Sequence, residues 1–273
     1  MPNNGPDFAR ERRVAVAAAE EAGGLLRRRF GTVHCLRTKD EYGDVQVDLD
    51  LAAEQLVLGR IRRHFPDDRI LSEEAGLLDA AGERTWLVDP LDGSNNVVIG
   101  LPAYAVGIGL CLGGAPVLGV VHEPVTGETW HAVRGHGAHG SAGALAGPAP
   151  GLPTPGPVVA WTQGYAVRRG DATAVGLRGV LELHCRRVLQ LWAPLLGWSL
   201  LARGTIDAFV GYRAEGVDLP TGALLAAEAG VELRTLAGAP FTPGFAGDDS
   251  GRSFVAARGE TLAYLLREVG AVV

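Results

Sequence analysis

The stretch WLVDPLDGSNNV (86–97) decides how the rest of the chain is read. An apolar run, Trp86 to Val88, ends on Asp89, and Pro90 then fixes one φ angle. Asp89 and Asp92 stand three residues apart in a tight turn. Both carboxylates can be aimed at one point, with the Leu91 carbonyl between them. Gly93 lets a backbone approach closely. If a helix opens at Ser94 to Asn96, its free N–H groups form an anion site beside the acids. Alone, Asp-Pro-Leu-Asp-Gly is also simply a good turn.

Other acids fall at comparable places. Glu73 and Glu74 end the strand-like run RILSEE (69–74). Asp48 and Asp50 lie at the start of a helix read over about 50–65, where Ala53, Val57 and Ile61 recur one turn apart and Pro66 ends the pattern. Asp218 opens a helix over 219–229. Acid clusters at strand C-termini and helix N-termini converge at one edge of a layered fold. Crowded carboxylates repel and take raised pKa values. A hard divalent cation with oxygen ligands removes that conflict, and metal beside a phosphate pocket is the apparatus of phosphoester hydrolysis.

Around these acids the chain reads as alternating elements. Residues 8–29 form an amphipathic helix with an Arg-rich end. A polar, loose segment, 31–44, follows. Runs at 85–90, 103–112 and 116–124 are nearly continuously apolar, which predicts a sheet covered on both faces. The closely spaced runs over 103–135 read as an antiparallel meander. The Ala, Gly and Pro of 141–157, with prolines at 148, 150, 153, 155 and 157, mark a connection. The expected organisation is an N-terminal α+β domain over 1–146, a connection at 147–157 and a C-terminal α/β domain over 158–273. In that last part strands alternate with helices near 171–180, 193–203, 219–229 and 259–268.

Composition excludes several classes. The 273 residues are 47% hydrophobic and 21% charged, enough to bury a sizeable core. The net charge of −6 offers no basic surface for nucleic acid. Cys35, Cys111 and Cys185 are too few and scattered for a disulfide framework or a thiolate metal site. No apolar run is long enough to span a bilayer, and the start lacks the apolar core of a signal peptide. The chain is therefore read as cytoplasmic, with no membrane and no nucleic acid among its partners.

Taken together and in order, these motifs resemble the inositol monophosphatase family of magnesium-dependent, lithium-sensitive sugar-phosphate phosphatases. The resemblance runs through DVQVDLDLAAE (44–54), LSEEAG (71–76), WLVDPLDGSNNV (86–97), VRGHGAHGSAG (133–143) and VDLPTGALLAAEAGV (217–231). It implies an α-β-α-β-α sandwich (α/β, or α+β), with an antiparallel sheet in the first domain and a mixed sheet in the second. It implies metal ligands at Glu73, Asp89, the Leu91 carbonyl, Asp92 and Asp218. It places two or three Mg²⁺ per site, with Mn²⁺ as a substitute and Li⁺ as an inhibitor. Ser94, paired with Asp50, falls where the family has a water-activating threonine, and Gly93 and Ser94 supply phosphate-binding amides. Lys39, the only lysine among 25 basic residues, falls on the family's loop lysine. On this reading a metal-bound water held by Ser94 and Glu73 attacks phosphorus in line, and a water near Asp92 protonates the leaving alkoxide. Family members are commonly homodimers.

The departures cluster where the family holds the alcohol of its substrate. Trp192 and Ala193 replace a Gly-Ser pair, Gly211 replaces a glutamate and Val217 a tryptophan. The expected substrate is thus the phosphomonoester of a small sugar, cyclitol or nucleoside, with a pocket rebuilt away from inositol phosphate. Fructose 1,6-bisphosphate, 3′-phosphoadenosine 5′-phosphate, histidinol phosphate and a secondary-metabolite phosphate are the alternatives. A non-catalytic binding or assembly protein on the same fold is the alternative from another class, opposed by the complete ligand set. His131, His136 and His139 read as structural or solvated, and Trp130, Trp161 and Trp198 as core or pocket wall. Arg168, Arg169, Arg186 and Arg187 read first as surface, with a second anionic group as the other use.

Overall fold

A computed structural model describes residues 7–32, 34–38, 45–145, 147, 151 and 153–272. Lys39 lies outside them, as does Asp44 at the start of the second-helix motif.

Helix α1 (Ala9–Arg29) buries Val14, Ala15, Ala18, Ala22 and Leu26, the face its periodicity marks. Arg27, Arg28 and Arg29 fill its last turn, where exposed carbonyls attract cations. Strands β1 (Cys35–Thr38) and β2 (Val45–Val47) pair antiparallel. The first falls inside the segment read as loose. All its residues are exposed, so no inside–outside alternation signals it. Helix α2 (Asp48–His64) starts earlier than its apolar pattern, because its first turn is acidic.

The first sheet has eight strands: β3 (Arg69–Ser72), β4 (Gly76–Leu78), β5 (Arg84–Asp92), β6 (Ala105–Leu112), β7 (Ala115–Glu123), β8 (Glu128–Val133), β9 (Ala138–Gly140) and β10 (Gly143–Ala144). Their order is β10-β9-β8-β7-β6-β5-β3-β4. The meander β6-β7-β8 is antiparallel as read. The one parallel pair is β3 with β5: β4 folds back onto the outer edge of β3, so the chain returns to β5 in the direction of β3. A short helix α3 (Ser94–Val98) follows β5 directly.

The second sheet contains β11 (Val158–Gln163), β12 (Arg187–Leu189), β13 (Ala208–Tyr212), β14 (Glu232–Arg234) and β15 (Phe254–Ala257), ordered β12-β11-β13-β15-β14. It is mixed: β11 runs parallel to β12 and β13, and β13-β15-β14 is antiparallel. Between its strands come α4 (Ala172–His184), α5 (Pro194–Ala202), α6 (Leu219–Glu228) and finally α7 (Gly259–Val269).

Four apolar clusters define five layers. Helices α1 and α2 cover one face of the first sheet through Leu26, Val57, Trp86 and Val120. The opposite face, with Ala105 and Val121, meets Leu195 of α5 and Leu225 of α6. The far sides of α5 and α6 pack on the second sheet, Trp198 stacking on Phe254 with centroids 4.8 Å apart. Helices α4 and α7 close the other face of that sheet. The layering is α-β-α-β-α. Helices α5 and α6 are buried on two sides, which is why their sequences lack a polar stripe. The middle layer sits close to the first sheet: a Cβ on Gly119 would lie 2.7 Å from the Thr221 carbonyl of α6. That packing sets the C-terminal end of β5 against the N-terminal ends of α5 and α6.

Candidate active site

The site grows from the end of β5. Asp89 pairs with Gly107 and Asp92 with Ala105, so three steps on β5 oppose two on β6. Residues three apart on a regular strand point to opposite faces. The extra residue, at Pro90–Leu91, makes a bulge that returns Asp92 to the side of Asp89. The Asp89 carboxylate accepts the Leu91 N–H at 3.1 Å and tightens that bulge. Gly93 follows at φ 100°, where a Cβ would also come 2.8 Å from the Ala103 carbonyl. From there α3 begins at Ser94, as the conditional reading of the sequence required.

Each remaining acid is delivered by a different element. Glu73 sits in the turn after β3, its N–H bonded to the Val88 carbonyl at 3.0 Å. Asp218 caps α6. Asp50, in the first turn of α2, accepts the Val47 N–H at 2.6 Å and the Ser94 hydroxyl at 2.8 Å. The Ser94 hydroxyl also lies 3.0 Å from the Leu91 carbonyl. It has one proton for two acceptors, so Ser94 keeps lone pairs free for a further donor.

Glu73, Asp89, Leu91, Asp92, Gly93, Ser94, Val217 and Asp218 line one cavity of about 210 Å³. Asp89, Asp92 and Asp218 are each less than a tenth exposed. Burial drives the Asp89 carboxyl well above the usual range, with the charges of Glu73, Asp92 and Asp218 adding to it. Burial does the same at Asp92, reinforced by Asp218 and opposed by the Leu195 amide. Asp218 is pushed up to about 7 by burial and by Glu215. Asp50 is also raised to about 7, by burial, against the bonds from Val47 and Ser94.

Among the described residues, no three His, Cys, Asp or Glu side chains form a closed ligand shell. The donor set nonetheless fits a hard divalent cation. It is entirely oxygen, it combines carboxylates with one backbone carbonyl, and its three aspartates are crowded and desolvated with no compensating Arg or Lys among the described residues of the cavity wall. His131 and His139 face each other at 5.6 Å on the outer strands β8 and β9, away from this cavity.

Four features were not read from the sequence. Glu54 accepts the Ser72 hydroxyl and the Ala75 N–H, the latter at 2.9 Å, and so braces the turn that carries Glu73. Its signal is its place four residues after Asp50, on the same helix face. Glu215 lines the cavity three residues ahead of Asp218, with Tyr165 and Pro194 beside it. Asp92 accepts the backbone N–H of Leu195 at 2.7 Å. Asn96 donates at 2.6 Å to the Leu191 carbonyl.

Residues assigned to the alcohol pocket separate. Val217 lines the main cavity, and Trp192 and Ala193 border small neighbouring ones. Gly211 lines none of these: it lies under the Phe254 ring, which a Cβ there would meet at 2.3 Å. Trp130, Trp161 and Trp198 are buried, while Trp192 is 54% exposed. Arg168, Arg169, Arg186 and Arg187 are exposed and line none of the cavities described.

A layered α-β-α-β-α fold carrying this acid set defines a phosphoric monoester hydrolase of the metal-dependent kind. The chain belongs to the inositol monophosphatase family, whose sequence model matches residues 9–272. It is 29% identical over 219 residues to the Nus factor SuhB of Escherichia coli, covering 80% of this chain and 82% of that one. It is 33% identical over 250 residues to the inositol-1-monophosphatase of Mycobacterium bovis, covering 85% of each. The solved inositol monophosphatase of Anabaena superposes with a TM-score of 0.82 over 98% of both chains at 25% identity.

Proposed function

We propose that this protein is a Mg²⁺-dependent phosphatase that hydrolyses the phosphomonoester of a small sugar, cyclitol or nucleoside. The observation that carries the reading is the single cavity in which Glu73, Asp89, Leu91, Asp92 and Asp218 meet the Gly93–Ser94 backbone. Those five residues would hold the cations, and the cations, when bound, neutralise the phosphate charge and acidify water. The amides of Gly93 and Ser94 hold phosphate oxygens. Ser94 accepts a proton from the attacking water while donating its own to Asp50, and Glu73 fixes that water from the other side. A new P–O bond forms as the ester P–O bond breaks, the leaving alkoxide takes a proton from a water beside Asp92, and the hydroxide left there is neutralised by the proton that Asp50 gives back to solvent. Lys39 is assigned to the same loop by resemblance alone.

The wider expectations join this proposal: a homodimer, a cytoplasmic location, a small phosphorylated metabolite as partner, and inhibition by Li⁺. No helix among the described residues is long and apolar enough to cross a membrane. A second reading, an assembly role without catalysis, is favoured by the likeness to a Nus factor. Phosphate release from a panel of esters, with Mg²⁺, with chelator and with Li⁺, separates the two. Release that needs Mg²⁺ and falls by orders of magnitude in Asp89→Asn supports the phosphatase. No release from any ester, or wild-type turnover in that variant, refutes it.

A further inference from the structure

Beside the acid-lined cavity lies a second one of about 60 Å³, and the two share Tyr165, Pro194 and Glu215. On the phosphatase reading the phosphate end occupies the first, and the alcohol end would extend into the second. Among the described residues Glu215 is the only charged one lining it; the other polar side chains, such as Gln163 and Gln190, are neutral. Trp192 forms part of the wall.

Trp192 is displayed there by construction. Its φ is 52°, in the left-handed region that a bulky side chain rarely adopts. Such conformations persist only where the surroundings over-determine them. Here both flanks are tied to the catalytic turn. Asn96 holds the Leu191 carbonyl, and Asp92 holds the Leu195 amide. Between them Ala193 is buried, and the indole is left on the rim.

Glu215 is equally fixed. Its carboxylate accepts the Tyr165 N–H at 2.9 Å. Its loop is pinned by the Ala214 N–H on the Arg252 carbonyl at 3.0 Å. Among the described residues no Arg, Lys or His is ion-paired with Glu215. Arg252, whose charge it feels, donates from Nη2 alone to the Phe245 and Gly247 carbonyls and makes no ion pair with it. Arg213 is paired with Asp249 at 2.8 Å. The charges of Glu73 and Asp249 add to that of Glu215.

We propose that the alcohol part of the substrate carries a protonated amine, held between the Glu215 carboxylate and the Trp192 ring. The inference rests on the phosphatase reading and names the substrate class for that site. An ammonium is attracted by an aromatic face and by an unpaired carboxylate together. A hydroxyl at the same place bonds to Glu215 but leaves its charge unpaired in a partly desolvated pocket. The amine takes no part in the bond changes; it selects and orients the ester.

The test uses matched phosphomonoesters that differ in one group: glucosamine 6-phosphate against glucose 6-phosphate, and 2-aminoethyl against 2-hydroxyethyl phosphate. With Mg²⁺ the wild-type protein favours the amine of at least one pair about tenfold in kcat/KM. Glu215→Gln brings that ratio near one, through KM for the amine ester. Trp192→Leu lowers it several-fold, and thermal melting verifies that both variants fold. Equal kcat/KM within both pairs, or an amine preference that survives Glu215→Gln, overturns the amine reading and leaves the phosphatase standing. No hydrolysis of any phosphomonoester overturns the phosphatase and the inference with it.

Discussion

The carboxylate of Asp92 accepts the backbone N–H of Leu195 at 2.7 Å, across 103 positions of sequence. Asp92 is therefore two things at once: an acid of the β5 bulge and the side-chain cap of α5, whose own Ala193 offers no capping oxygen. The bond closes the first sheet onto the middle helical layer at the site itself. Asp92→Asn keeps an oxygen for the Leu195 amide and loses the charge, while Asp92→Ala loses both. Thermal unfolding should show Asp92→Ala less stable than Asp92→Asn by about 1 kcal/mol. Phosphate release should collapse in both. Equal melting of the two variants would show that the cap is unimportant.

Stability without cations should fall as pH rises. Asp50 and Asp218 have folded-state values near 7 against an ordinary 3.8, and Asp89 and Asp92 are raised too. An acid raised by folding favours the folded state while it is protonated. That contribution is whole below about pH 4 and is lost as pH climbs through about 7. Melting of chelator-treated protein should therefore decline between pH 5 and pH 8, and saturating Mg²⁺ should remove much of the decline. A flat or rising melting temperature over that range in chelator argues against the crowded-carboxylate site.

The Ser94–Asp50 pair should matter to rate more than to fold. Ser94→Ala removes the hydroxyl that bridges Asp50 and the Leu91 carbonyl. Turnover should drop about a hundredfold, with KM little changed. Ser94→Thr, which restores the hydroxyl, should recover most of it. Steady-state kinetics of the two variants on one ester is the measurement. Equal loss in both would point to packing around residue 94 instead of its proton.

Glu54 should act through the Glu73 turn. Glu54→Leu removes the main acceptor of the buried Ser72 hydroxyl, leaving it the Val88 carbonyl at 3.5 Å, and frees the Ala75 N–H, at a total cost of about 1–3 kcal/mol. The same variant should need more Mg²⁺ for half-maximal activity, because Glu73 is no longer held. Urea unfolding and an Mg²⁺ activation curve read the two effects separately. An unchanged activation curve would confine Glu54 to a structural role.

Much of this site is legible in the chain because its chemistry is local. Asp89, Asp92, Gly93 and Ser94 lie within six residues, and a proline, a glycine and a helix start have the same meaning wherever they occur. Glu73 and Asp218 announce themselves by standing at the ends of elements whose apolar patterns are strong. The β1 strand gave no such signal, being exposed throughout, and Gly211 misled because a position in a motif does not say what stacks on it.

The amino-acid sequence by itself determined most of the elements, since propensity, burial pattern and turn chemistry act over a few residues, and its resemblance to a known family implied the layering and the set of acids. Only the tertiary structure decided that a bulge turns Asp89 and Asp92 to one side, that Asp92 caps a helix from the other half of the chain, and that Glu54 braces Glu73. It alone put Trp192 on the rim in a left-handed conformation beside Glu215. Each of these depends on contacts between segments far apart in sequence, whose energies exist only once the two sheets and the helices between them have packed.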